Sequence, residues 1–385
     1  MLDQTLKQGT VEFVNWFKEY ALPLWSTQGI DPSVGASYER FLINGEVDKE
    51  VKPRVRVQAR QIFTFCKAQE LGWMPDASGV VDGLVSFAKK YGAHPSGQGY
   101  GHLLSPQYEL VESHLDLYNH AFWILASAAR YKTFKDAAAV EQANDIIHML
   151  DANFGSVSGG WLEGDYDAPC RRQNPHMHLF EASMAMYEAT GDAPWLARAG
   201  ELFCLFETRF FDPKYGVLRE FFDNDWQILE DAKGDIIEPG HMMEWVWLLR
   251  WYERLSGHDV SVYANAMYDT GLTIGKTESG LMYDEVSPEG NVLANGTKRC
   301  WPIIEMIKAS IVQARAGASE GAEELAGASL RLLLDQYLTH ETKGLYIDRR
   351  DGDDAVISDV APASTLYHLI VAAEEVDKYV TEKEA

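Results

Sequence analysis

His241 and Glu244 stand three residues apart in the run Glu238-Pro-Gly-His-Met-Met-Glu-Trp-Val-Trp-Leu-Leu-Arg-Trp-Tyr252, a spacing that puts an imidazole and a carboxylate on one face of a helix. Imidazole changes charge near neutral pH, and a carboxylate on the same face can orient it, so the pair is equipped for general acid–base chemistry. His178 and Glu181 repeat the spacing. His176 and His178 look like an HxH metal pair, but residues two apart on a helix point about 200° from one another and cannot easily grip one ion. His178, with its glutamate, is the better candidate. His368 lies among Leu366, Leu369 and Ile370; taken alone, such a histidine is most often a satisfied core residue. Arg60 sits inside the apolar run 57–66, where a guanidinium wants a carboxylate or a ligand's oxygens. Trp301, flanked by Arg299 and Glu305 at the start of another apolar run, suits either core filling or stacking on a sugar ring.

These residues need elements to hold them. The run that carries His241 is apolar around its whole circumference, as expected of an inner helix packed on both sides, and Pro239 suits its first turn. Pro53, Pro175, Pro239, Pro302 and Pro362 each precede or open an apolar-periodic segment. From Pro175 onward the spacing is about 60 residues, and 115–122 is a prolineless counterpart. A second phrase recurs between them, at Gly160-Trp-Leu-Glu, Gly216-Val-Leu-Arg-Glu, Gly280-Leu-Met-Tyr-Asp and Gly344-Leu-Tyr-Ile-Asp. A period near 60 that fits about six times suits a repeated helix hairpin with a short strand ribbon. Helices are expected over 11–24, 74–91 and 114–123, with His120 structural. Asn174 is expected as an N-cap with Pro175 at N1. Residues 92–101 read as loop, 38–46 as extended chain, and the last ten residues as frayed.

The chain is 385 residues long with 46% hydrophobic and 12% aromatic content, enough to bury a large core. No linker or compositional shift divides it, so a single domain over 1–385 is expected. A net charge of −24 argues against nucleic acid or an anionic membrane as partner and weighs mildly against a polyanionic substrate, although Arg54, Arg56, Arg171 and Arg172 leave a sugar phosphate open. Cys66, Cys170, Cys204 and Cys300 form no CxxC pair, which fits buried thiols in a reducing compartment; Cys66 and Cys204 read as core. No signal-peptide pattern or long apolar span occurs, so a cytoplasmic protein is expected.

Six motifs in order carry a resemblance. They are VQARQIFTF around Arg60, DLYNHAF around Tyr118, NPHMHLFEA around Asn174 and His178, EPGHMMEW around His241, RCWPIIE around Trp301 and Glu305, and ASTLYH ending at His368. Together they resemble the N-acylglucosamine 2-epimerase superfamily, which includes mannose isomerases and cellobiose 2-epimerases, over about residues 10–370. The resemblance implies an all-α fold, an (α/α)6 barrel of six helix hairpins, with short β-hairpins in the loops at the active-site mouth. It implies proton transfer beside a sugar's open-chain carbonyl without a cofactor or catalytic metal. By position it makes His241 and His368 the acid/base pair and Arg60 the holder of sugar oxygens. Tyr118, Asn174, His178, Trp301 and Glu305 become pocket residues, with Glu244 behind His241.

The expected function is a sugar isomerase interconverting D-mannose and D-fructose through an enediolate, acting on a monosaccharide as a monomer or homodimer. One histidine that takes the C2 proton and returns it to C1 isomerises; a second that returns it to C2 from the opposite face epimerises. A 2-epimerase acting on an N-acylhexosamine or on mannose is therefore the alternative. A toroidal glycoside hydrolase would use two carboxylates from Glu163, Asp165, Glu244 and Glu305, leaving the histidines idle. A non-enzymatic helical scaffold would be an open array with polar end caps.

Overall fold

The computed structural model describes residues 2–385. Thirteen α-helices are described: α1 (Gln4–Trp16), α2 (Leu22–Thr27), α3 (Val55–Glu70), α4 (Ser78–Phe87), α5 (Leu117–Phe134), α6 (Ala137–Phe154), α7 (Gln173–Thr190), α8 (Ala193–Leu205), α9 (Pro239–Ser256), α10 (Ser261–Gly275), α11 (Cys300–Arg315), α12 (Ala322–Leu332) and α13 (Leu366–Glu384). The odd helices from α3 to α13 form an inner ring, each packed on the next, and α13 closes back on α3. Outside them, α4, α6, α8, α10 and α12 each pack on the inner helix that precedes them, while α1 packs on α13 and α12. The result is an (α/α)6 barrel, with none of the open ends of a linear array.

Hydrophobic patterning sorts the two rings. In α9 every residue from Pro239 to Arg250 is buried, and α13 is buried from Leu366 to Glu374, as inner helices require. In α6 the buried side chains Ala139, Ala143, Ile146, Ile147 and Leu150 recur at helical spacing and make one apolar stripe. Antiparallel ribbons of two strands decorate the loops. One of them pairs Arg40–Leu42 with Val360–Pro362 and ties the two ends of the ring together. Wide π turns extend α1, α4, α8 and α12.

Several sequence expectations change here. Asn174 is not an N-cap: α7 starts at Gln173, with Arg172 as the extended cap, because the Asn174 side chain is turned to His241 instead. Likewise α11 starts before Pro302, at Cys300. Cys204 is exposed rather than core, on the outer face of α8, while Cys66, Cys170 and Cys300 are buried. The last ten residues do not fray. Helix α13 runs to Glu384, with Val376 and Tyr379 buried and Tyr379 donating to Glu323 at 2.6 Å. Among the described residues no helix is long and apolar enough to cross a membrane.

Candidate active site

All six inner helices begin at the same end of the barrel, and a repeated device fixes three of those starts. The backbone N–H of Arg54 donates to Glu39 at 2.9 Å, that of Arg172 to Glu163 at 2.7 Å and that of Arg299 to Asp284 at 2.7 Å. These arginines cap α3, α7 and α11, and each also ion-pairs with the same carboxylate. Two histidines pin loops in equivalent positions. His120 accepts from Tyr100 N and His176 from Trp161 N, at 3.0 and 3.1 Å. Their other nitrogens face the carbonyls of Asp116 and Arg172, four residues back. Gly99 and Gly160, at positive φ, lie against those rings where a Cβ would collide. His120 and His176 are thus satisfied structurally.

Three other histidines, His178, His241 and His368, converge. His241, in the first turn of α9, and His368, in the first turn of α13, lie against the same indole: the Trp301 ring is 5.0 Å from one and 5.8 Å from the other. Gly240 lets Trp301 approach, since a Cβ there would strike the indole. His241, His368, Arg60 and Trp301 retain 6–8% exposure, whereas Glu305 and Lys308 have none. The former keep a little accessible surface and the latter lie behind them.

His241 and His368 stand in opposite electrostatic settings. Nδ1 of His241 is 3.1 Å from both oxygens of Glu220 and 3.8 Å from Glu238. Burial disfavours the imidazolium, but Glu238 and Glu220 outweigh it and raise the His241 pKa to about 10. Asn174 Nδ2 is 3.1 Å from Nε2, and Asn174 Oδ1 has no protein partner. A half-turn of the amide presents that oxygen to Nε2–H, so Asn174 accommodates either protonation state of the ring. His368 places Nδ1 2.7 Å from Glu305 Oε1, while Glu305 Oε2 is 2.7 Å from the fully buried Lys308 ammonium. Burial, then Arg60 and Lys308, push His368 well below its ordinary value. It is a neutral imidazole whose Nε2 has no partner among the described residues.

A third group completes the floor. His178 Nδ1 is 3.1 Å from Glu181 Oε2, and Tyr367 donates to the other oxygen. Burial lowers His178 to about 3 and raises Glu181 to about 7, so any proton on this pair resides on the glutamate. Arg60 donates to Ser364 O at 3.0 Å and to Tyr118 Oη at 2.7 Å, and its guanidinium lies 4.1 Å from the centre of Phe122. No carboxylate of the described residues pairs with it, so its charge is available to an oxyanion.

The structure therefore brings together all nine sequence candidates, Arg60, Tyr118, Asn174, His178, His241, Glu244, Trp301, Glu305 and His368, but not in the expected pairing. Glu244 does not back His241. Its carboxylate reaches within 4.8 Å of both His178 and His368, and Oε1 has no partner. At i, i+3 the two side chains share a face of α9, yet His241 turns toward the loop that carries Glu220. Glu181 stands beside His178 as their spacing led one to expect; the residues that sequence reasoning missed are Glu220, Glu238, Tyr367 and Lys308. Glu220 had a signal, since it is the acid that ends the recurring Gly216 phrase.

Four groups hold ligand atoms close enough for an ion: His178 with Glu181 and Glu244, Glu220 with Glu238 and His241, Glu244 with Glu305 and His368, and His102 with Glu112 and His114. Lys308 bonds to Glu305, and Arg60 and Lys308 both act on His178, so two of these groups already contain positive charge. Outward from Tyr118 and Asn174 opens a cavity of about 530 Å³. Neither this cavity nor a funnel of about 550 Å³ at the other end of the barrel, with Trp247, Trp251 and Lys67 among its walls, is lined by any of the three converging histidines.

A family model described as N-acylglucosamine 2-epimerase (GlcNAc 2-epimerase) matches residues 37–372. A mannose-6-phosphate isomerase of Rhizobium meliloti (strain 1021) is 35% identical over 381 residues, spanning 95% of this chain and 96% of that protein. Among solved structures, a D-mannose isomerase superposes with a TM-score of 0.85 at 22% identity, over 95% of this chain and 97% of that one. The cellobiose 2-epimerase of Bacillus thermoamylovorans B4167 superposes with a TM-score of 0.86 at 16% identity, over 97% and 100%. These two structures share the (α/α)6 barrel.

Proposed function

We propose, from the premise that this chain belongs to the N-acylglucosamine 2-epimerase family, that it is an aldose–ketose isomerase interconverting D-mannose and D-fructose. The observation that carries this reading is the unequal setting of the two histidines. Neutral His368, held at Nδ1 by Glu305, removes the C2 proton through Nε2 and returns it to C1. His241, clamped by Glu220 and Glu238, serves oxygen: it donates a proton to the C1 carbonyl oxygen as C2 is deprotonated and is recharged by the C2 hydroxyl proton as the C2 carbonyl appears. Arg60 faces the developing negative charge. The same histidines assist ring opening, which needs a proton moved from the anomeric hydroxyl to the ring oxygen.

A reversible 2-epimerase needs two histidines that alternate as bases toward carbon. A ring whose proton is held to about pH 10 suits that role poorly, which favours isomerisation over the epimerase alternative. The curated relative is named for a 6-phosphate, but C1 and C2, where the histidines act, are the same in both sugars. Incubation with D-mannose in D2O, followed by NMR, tests the reading. Fructose with incomplete deuteration at C1 is the expected product. Glucose without fructose would overturn isomerisation.

A further inference from the structure

The cavity outside the reactive pair is lined by two cations, Arg56 and Lys233, that form no ion pair among the described residues. Arg56 sits one turn before Arg60 on α3, half-buried, with its guanidinium 5.3 Å from the centre of the Tyr118 ring. Tyr118 in turn accepts from Arg60, so the two arginines bracket one tyrosine, Arg60 toward the histidines and Arg56 toward the mouth. Arg56 makes no ion pair with a carboxylate of the described residues, in a chain whose net charge is −24, where a free acidic partner would be easy to supply. Burial and the neighbouring Arg54 lower its pKa to about 10, a cost of the kind normally relieved by an anion.

Of the two acids that line the same cavity, Glu163 is paired with Arg172, while Asp116 is bound by neutral donors and lends Arg56 some of its charge without forming an ion pair with it. Asp116 accepts from Asn119 N at 2.8 Å and Tyr166 Oη at 2.9 Å. Glu163 accepts from the backbone and guanidinium of Arg172 at 2.6–2.8 Å. Lys233, on the rim, makes no ion pair among the described residues either, and Nδ1 of His102 is buried without a partner. His102 stacks on His114 with ring centres 4.4 Å apart, and burial lowers its pKa, so it is a neutral group able to donate one hydrogen bond.

We propose that this cavity is an anion subsite in which Arg56, with Lys233 and His102 Nδ1–H, binds a phosphate monoester carried on the hexose at the end remote from C1 and C2. The proposal rests on the isomerase reading for the orientation of the sugar, since C1 and C2 must lie at His241 and His368. A planar guanidinium meets two phosphate oxygens at once, and the cavity has room for the phosphate beyond the ring. The competing occupant is a second neutral sugar ring, which needs hydroxyl partners and no unpaired cation.

Calorimetric binding separates these outcomes without depending on turnover. Mannitol 6-phosphate, which has no carbonyl to react, is expected to bind at least about tenfold more tightly than mannitol, and Arg56→Gln to remove most of that difference while Arg56→Lys keeps part of it. In kinetics, the ratio of kcat/KM for mannose 6-phosphate over mannose falls by about tenfold in Arg56→Gln, through KM. If mannitol 6-phosphate binds no better than mannitol, or if Arg56→Gln leaves the difference intact, the subsite is overturned even when mannose is isomerised. Tighter binding of a disaccharide alditol than of mannitol 6-phosphate overturns it in favour of a second sugar ring. If no ketose forms from either sugar but the Arg56-dependent preference persists, the isomerase reading fails and the anion subsite stands.

Discussion

His241 and His368 touch the same tryptophan from the first turns of two inner helices, yet the protein treats them as opposites. Around His241 the groups within reach of Nδ1 are two carboxylates, Glu220 and Glu238, and the ring holds its proton to about pH 10. Around His368 a single glutamate at 2.7 Å is itself tied to Lys308, Arg60 lies near, and the ring stays neutral. Both rings are buried to a similar degree, so desolvation cannot separate them. The difference comes from whether the carboxylate behind the ring keeps its negative charge for the histidine or shares it with a buried lysine. Two chemically identical side chains thereby become, in the proposed mechanism, a standing acid and a standing base.

Removing one member of the pair tests this division most severely. His368→Asn is expected to lower kcat/KM by about 10³-fold and to bring exchange of the C2 hydrogen of mannose with D2O down to its lowest level, because the base assigned to carbon is gone. His241→Gln is expected to lose ketose formation to a comparable degree but to retain C2 exchange about tenfold above that of His368→Asn, since the base remains. Equal loss of exchange in both variants, measured by NMR, would show that the two histidines are not divided between carbon and oxygen.

A milder test leaves both rings in place and changes what stands behind one of them. Glu220→Gln removes a negative charge from Nδ1 of His241, so the ring's pKa falls. On the proposed reading the imidazolium is the active form, and activity declines as pH rises through its pKa. The alkaline limb of the kcat/KM profile is therefore expected to move to lower pH by at least about one unit. The folded-state pKa of His241 lies above its ordinary 6.5, so the stability it contributes is full below 6.5 and is lost as pH rises through about 10. The same variant should lose less stability over that window than the parent does. An unmoved alkaline limb would mean that Glu220 does not set the proton affinity of His241.

Much of this arrangement could be read from the chain before any fold was drawn. A period near 60 residues located the inner helices, because an inner helix must be apolar on every side and only such runs follow the recurrent prolines. Only the family resemblance singles out His368, whereas His241 and Arg60 stood out because polar groups inside those runs need partners. The partners themselves did not. Glu220 meets His241 from 21 positions back in the chain and the pairing of Glu305 on α11 with His368 on α13 crosses between helices, and helical periodicity contains no term for such contacts. The expectation that Glu244 backs His241 followed correctly from helix geometry, but a side chain on a given face still chooses between neighbours, and α9 has neighbours on both sides. Cys204 misled for the converse reason: an apolar run on an outer helix has one wet face, and the residue lies on it.

The third histidine sharpens the comparison with the smallest expected effect. In the unfolded chain between pH 4.5 and 6.5, His178 carries a proton and Glu181 does not. In the folded protein the glutamate, raised to about 7, carries one and the histidine, lowered to about 3, does not. Each state binds one proton, so the pair adds almost no pH dependence to stability across that window. Below 4.5 the unfolded chain binds two protons and the folded protein still one, so stability is lost as pH falls toward 3. His178→Phe leaves Glu181 alone. A group with a raised folded-state pKa contributes stability that is full below 4.5 and lost as pH rises through about 7. Acidifying this variant from pH 7 to 4.5 should therefore raise its Tm by roughly 2 °C relative to the parent's change over the same range. Parallel Tm profiles for the two proteins would show that the proton does not reside on Glu181, and His178 would then have to be grouped with His241 rather than with His368.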